Sequence, residues 1–118
     1  MKYLCLVYAE PGFYGRLSPQ EQAALDRDSL AYDRRLEASG HFIAASALQP
    51  VATASTIRVR GGKVMMTDGP FAETKEVLCG FIFIEAADMA EARKLAEGIP
   101  MARHGSIEVR PELDIGGG

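Results

Sequence analysis

The sequence predicts an α+β domain: an antiparallel sheet with two helices on one face and an extra β-hairpin inserted between its two halves. Three observations carry this. Two segments open with a capping residue followed three positions later by an acid, Ser18-Pro19-Gln20-Glu21 and Asp88-Met89-Ala90-Glu91, a signature of helix starts. Apolar, strand-forming runs precede and follow each of them. Between the halves, Gly61-Gly62 separates two alternating runs, the two-residue signal of a tight hairpin.

The elements follow in order. Lys2 to Tyr8 is rich in strand formers and is stopped by Glu10-Pro11-Gly12. After the Ser18 cap, Ala23, Leu25, Leu30, Ala31, Leu36 and Ala38 recur near helical period, with a charged face from Asp26 to Glu37 and a stop at Gly40. This predicts a helix of about five turns that lays an apolar stripe on the sheet. His41 to Leu48 reads as a second strand ended by Gln49-Pro50. Ser55 to Arg60 and Lys63 to Thr67 form the hairpin, with Arg58 and Arg60 making one face polar and Met65 and Met66 pointing opposite ways. Val77 to Glu85 is a strand too apolar for either face to stand in water, the second helix runs to about Glu97 before Gly98 and Pro100, and Ser106 to Arg110 alternates as a last strand. The domain is expected over residues 1–113, with a disordered Gly-rich tail from 114 to 118.

Composition narrows the function classes. A chain of 118 residues with 47% hydrophobic side chains suits one buried core and is short for two domains. A net charge of -3 offers no excess positive field for a phosphate backbone, so nucleic acid is not an expected partner. Cys5 and Cys79 each lie inside an apolar run and read as small core hydrophobes of a reduced compartment. There is no signal-like N-terminus and no apolar run of membrane-spanning length, which gives the expectation of a cytoplasmic protein without a membrane partner. Because one face of the sheet carries the helices and the other is also apolar, a homodimer packing sheet against sheet is the simplest expectation.

The densest cluster of chemistry is Asp68-Gly69-Pro70-Phe71-Ala72-Glu73-Thr74-Lys75-Glu76, a rigid turn fused to ionisable groups. This stretch resembles the signature of the DGPF branch of the YCII-related proteins. Further matches are Tyr3-Leu4-Cys5-Leu6-Val7-Tyr8, Ala38-Ser39-Gly40, Leu48-Gln49-Pro50, Ile57-Arg58-Val59-Arg60, Gly80-Phe81 and the run Ala102 to Pro111. The resemblance spans nearly the whole chain and implies a ferredoxin-like fold assembled as a dimeric α/β barrel. It implies, too, a genomic setting beside alternative sigma factors. The wider group is credited with a His-Asp pair whose histidine lies in the first helix. That helix has no histidine here, and the chain's two, His41 and His104, do not occupy the matching position.

Read by chemistry alone, Asp68 either caps its own turn or, beside Glu73, Lys75 or Glu76, acts as an acid or base whose pKa is raised by like charge. Lys75 is either a surface ion-pair partner or an anion clamp. Phe71 is expected to anchor the elbow against the core. Arg103-His104-Gly105-Ser106 supplies a cation, an imidazole and a hydroxyl in one short segment. The candidate constellation is therefore Asp68 as base and His104 as proton shuttle, with Gln49, Glu73, Lys75 and Arg103 binding a small polar or anionic substrate. No dinucleotide fingerprint, phosphate loop, nucleophile elbow or tightly spaced metal-ligand set occurs, so neither an organic cofactor nor a metal is expected. The contrasting reading is a non-enzymatic interaction or regulatory module in which the acidic elbow only sets shape.

Overall fold

The structure is a computed structural model that describes residues 1–116; Gly117 and Gly118, part of the expected tail, lie outside the described residues. Eight principal elements follow the predicted order: β1 (Lys2–Ala9), α1 (Pro19–Ala38), β2 (Phe42–Ala47), β3 (Ser55–Arg60), β4 (Lys63–Asp68), β5 (Val77–Glu85), α2 (Met89–Glu97) and β6 (Ser106–Pro111). Short 3-10 turns at 14–16, 51–53 and 100–103 were not legible in the sequence.

Both helix starts form as their residues dictate. The Ser18 hydroxyl accepts from the Glu21 amide and the Glu21 carboxylate accepts from the Ser18 amide, a complete capping box. The Ser18 backbone N–H, and after it the Ser18 hydroxyl, hold the Glu21 carboxyl below its ordinary pKa. At α2 the Asp88 side chain accepts from the Glu91 amide, while Glu91 reaches past the cap to the Ala87 amide.

The main sheet has the order β2-β5-β1-β6, every neighbouring pair antiparallel, which is the ferredoxin-like split β-α-β arrangement. Tyr3, Cys5 and Val7 of β1 and Ile82 and Ile84 of β5 point to the helix side and are buried with Leu36 of α1 and Ala92 and Ala96 of α2. Ile84 is 1% exposed. Burial pushes the Cys5 thiol up to about 11. The Tyr32 hydroxyl donates to the Leu95 carbonyl at 2.5 Å and so ties α1 to α2.

The stripe that α1 buries differs from the expected one. Leu25, Ser29, Tyr32, Asp33 and Leu36 face the sheet, whereas Leu30 is 56% exposed and Ala23, Ala31 and Ala38 face outward. Spacings of three and four residues place these side chains on one side, and Leu30 falls outside their arc on the helical wheel. Leucine count misleads here because two polar residues, Ser29 and Asp33, occupy the inner stripe.

Opposite the helices, Leu4, Leu6, Phe81 and Phe83 form a half-buried apolar face with Glu108 and Arg110 at its β6 edge. Among the described residues, no element covers it in the way that α1 and α2 cover the other side. The β3–β4 hairpin joins neither edge of this sheet and makes a two-stranded sheet of its own. Gly61 and Gly62 both take positive φ, the twist a two-residue hairpin turn requires. Among the described residues, no helix is long and apolar enough to cross a membrane.

Candidate functional site

The elbow after β4 is held by bonds to its main chain, one from a backbone amide and two from side chains. The Gly69 amide donates to the Ala54 carbonyl at 2.7 Å, the Thr56 hydroxyl donates to the Gly69 carbonyl at 2.9 Å, and Arg58 reaches the Phe71 carbonyl at 3.5 Å. Of the two readings of Asp68, the turn cap is not formed among the described residues, and the reason is local. Gly69 has already given its N–H to Ala54, and Pro70 has none to offer. Asp68 therefore stands exposed with its carboxylate unbonded.

Phe71 corrects a second expectation. Its ring is 74% exposed and anchors nothing within the chain. The elbow is pinned through main-chain bonds at Gly69 and Phe71, which leaves the ring free to point away. Lys75 forms no ion pair with a glutamate among the described residues.

The far end of the motif is docked more firmly. Ser106 at the start of β6 donates its hydroxyl to the Glu76 carboxylate at 2.8 Å. Tyr8 is the cross-strand partner of Ser106 and donates to Glu108 at 3.5 Å. Cys79 lies close by: partial burial raises its thiol pKa, and the Glu76 charge adds to that. The end of the acidic motif, Glu76, thus touches the first residue of β6 at one corner of the main sheet. Glu76, Ser106, Tyr8 and Glu108 were not in the expected constellation, because their meeting depends on the β1–β6 register, which no local pattern reveals.

Gly105 explains how the basic segment reaches that corner. A Cβ at this position would overlap the Tyr8 carbonyl oxygen, so the turn from His104 into β6 can lie flat on β1 only with glycine. His104 itself is exposed and stacks at a tilt on Phe13, ring centroids 5.2 Å apart, beside Glu21 at the start of α1. No hydrogen bond or ion pair joins Asp68 to His104 among the described residues. Gln49, Glu73, Lys75 and Arg103 are all exposed. None of these candidates lines either of two hollows found elsewhere, one of about 650 Å³ between the chain ends, the other between α2 and β6. The described residues also contain no group of three or more His, Cys, Asp or Glu placed to hold a metal.

The chain is similar to known proteins over almost its full length. It is 36% identical over 113 residues to the uncharacterized protein R00369 of Rhizobium meliloti, an alignment covering 94% of this chain and 91% of the relative. Its fold superposes with a TM-score of 0.56 on 5-chloro-2-hydroxyhydroquinone dehydrochlorinase (TftG) from Burkholderia phenoliruptrix, solved in complex with 2,5-dihydroxybenzoquinone. That likeness covers 96% of this chain and 94% of the other at 17% identity, and it is a likeness of fold. The family model for the YCII-related domain matches residues 1–115, and with the alternating β1, the capped helices and the ferredoxin-like strand order already in place, the chain belongs to the YCII-related domain family.

Proposed function

We propose that the protein is a homodimer, paired through its open sheet faces, that binds a small polar or anionic molecule at the corner where the acidic elbow meets the start of β6. The observation that carries this reading is the 2.8 Å bond between Ser106 and Glu76, which brings the end of the elbow to the residues following Arg103 and His104. In this reading Arg103 and Lys75 clamp the anion, Gln49 and Glu73 orient it, Asp68 serves as base and His104 as proton shuttle. No direct bond joins Asp68 to His104, so the ligand itself spans the gap. All of these groups stand in solvent in the single chain, and a partner covering the sheet face would supply the desolvation that makes them effective.

The dehydrochlorinase of like fold carries a compact, oxygen-rich ring, which sets the size and polarity of a first probe. A thermal-shift series with 2,5-dihydroxybenzoquinone and small carboxylates is the test, since a ligand preferring the native state raises the melting temperature. The reading expects a concentration-dependent rise that Asp68→Asn and His104→Ala reduce without altering the unliganded melt. An equal rise in both variants, or no rise with any probe, contradicts it.

A second reading has its own support: the exposed Phe71 ring beside an exposed hairpin fits an interaction module, regulatory in a sigma-factor setting, in which the elbow shapes a contact surface. Loss of assembly in Phe71→Ala with ligand response unchanged would favour it.

A further inference from the structure

The β3–β4 hairpin is an arm with two unlike faces. Register puts Ile57 opposite Met66 and Val59 opposite Val64, so these four share one face, and each is more than half exposed. Arg58, Arg60, Lys63 and Met65 share the other. A lone two-stranded hairpin is at best marginally stable in water, and this one is fastened to its own chain by bonds at its base only. Four stacked apolar side chains in that setting call for cover.

Shape and charge say what covers them. The chain exposes 8314 Å², about a third more than the roughly 6,200 Å² expected for a compact monomer of this mass. Its radius of gyration is 16.1 Å, against roughly 13.5 Å for a compact chain of this length, and it spreads as a slab of 47 × 44 × 19 Å. The surplus surface exceeds the ~800 Å² that each partner gives to a standard interface. Residues 55–67 contain three cations and no acid, a local charge of +3 in a chain of net -3, so the remainder carries -6. An arm is thus repelled by another arm and attracted to the body of a second copy.

We propose that the arm is a reciprocal clasp: in a pair of identical chains, each lays its Ile57, Val59, Val64 and Met66 face on the body of the other, with Arg58, Arg60 and Lys63 at its margins meeting the other's acidic surface. The clasp rests on the homodimer of the preceding reading and adds to its sheet-face contact an element without which the pair is loose.

Sedimentation equilibrium of the full chain tests it, using three proteins: wild type, the arm variant Val59→Glu/Met66→Glu, and the sheet-face variant Phe81→Glu. Far-UV circular dichroism and a thermal melt of each monitor folding; the arm substitutions replace exposed side chains and leave the core intact. The clasp predicts a wild-type dimer whose Kd rises at least about 30-fold in the arm variant. It also predicts weaker wild-type pairing as salt increases. A wild-type dimer that the arm variant forms equally well, while Phe81→Glu abolishes it, overturns the clasp and leaves the sheet-face dimer standing. A wild-type monomer at about 100 micromolar, above the micromolar-to-picomolar range of standard-size interfaces, overturns both.

Discussion

β5 and the arm each present an apolar face, and those faces meet opposite fates. In β5, Ile82 and Ile84 are buried beneath α1 and α2, while in the arm Ile57, Val59, Val64 and Met66 face solvent, Met66 being 72% exposed. Side chains two apart line one face in both, yet one such face is closed within the chain and the other stands in solvent. What separates them is that α1 and α2 pack over one face of β5, whereas among the described residues no helix packs over the arm, whose nearest neighbours in sequence are the short turn at 51–53 and the elbow.

This comparison is broken or sharpened first by deleting apolar bulk in each region. Ile84→Ala should cost about 4 kcal/mol of unfolding free energy, because the side chain is fully enclosed and leaves a cavity. Met66→Ala should change the stability of the dilute monomer by less than about 0.5 kcal/mol. Denaturant unfolding at low protein concentration measures both, and comparable losses would remove the distinction.

The smaller effect concerns Asp33, set on the inner stripe of α1, where burial raises its carboxyl pKa and no partner is bonded to it among the described residues. A carboxyl whose folded pKa lies above its unfolded value is protonated in both states in acid and costs nothing there. As pH rises through the unfolded pKa, the unfolded state ionises more readily, and the cost grows until it is complete above the folded pKa. Asp33→Asn should therefore raise the melting temperature at neutral pH, and that advantage should vanish in acid; an advantage that is independent of pH would argue against burial as the cause.

Much of the architecture was legible because local chemistry and global topology agree. Ser18 and Glu21 name a helix start unambiguously, and Gly61-Gly62 names the hairpin turn. The inner stripe of α1 was misjudged since Leu30 outranks Ser29 and Asp33 in hydrophobicity while geometry places them the other way round. The site was legible only in part. The motif 68–76 and the segment 103–106 could be singled out by residue type, yet the bond that unites them, Glu76 with Ser106, follows from strand order β5-β1-β6 and the close approach of Gly105 to Tyr8. Phe71 was misplaced for the complementary reason: an aromatic ring in a motif reads as an anchor when the sequence gives no sign that backbone bonds already hold the loop.

We propose that the helix-covered side of the sheet closes within the chain while the arm is closed only by a second copy. Amide hydrogen exchange measured across a dilution series tests it most directly, because protection reports local opening. The account predicts that amides of β1 and β5 stay protected at every concentration, whereas those of residues 55–68 are protected at high concentration and exchange rapidly on dilution. Arm amides that remain equally protected at all concentrations, or equally unprotected, would contradict it.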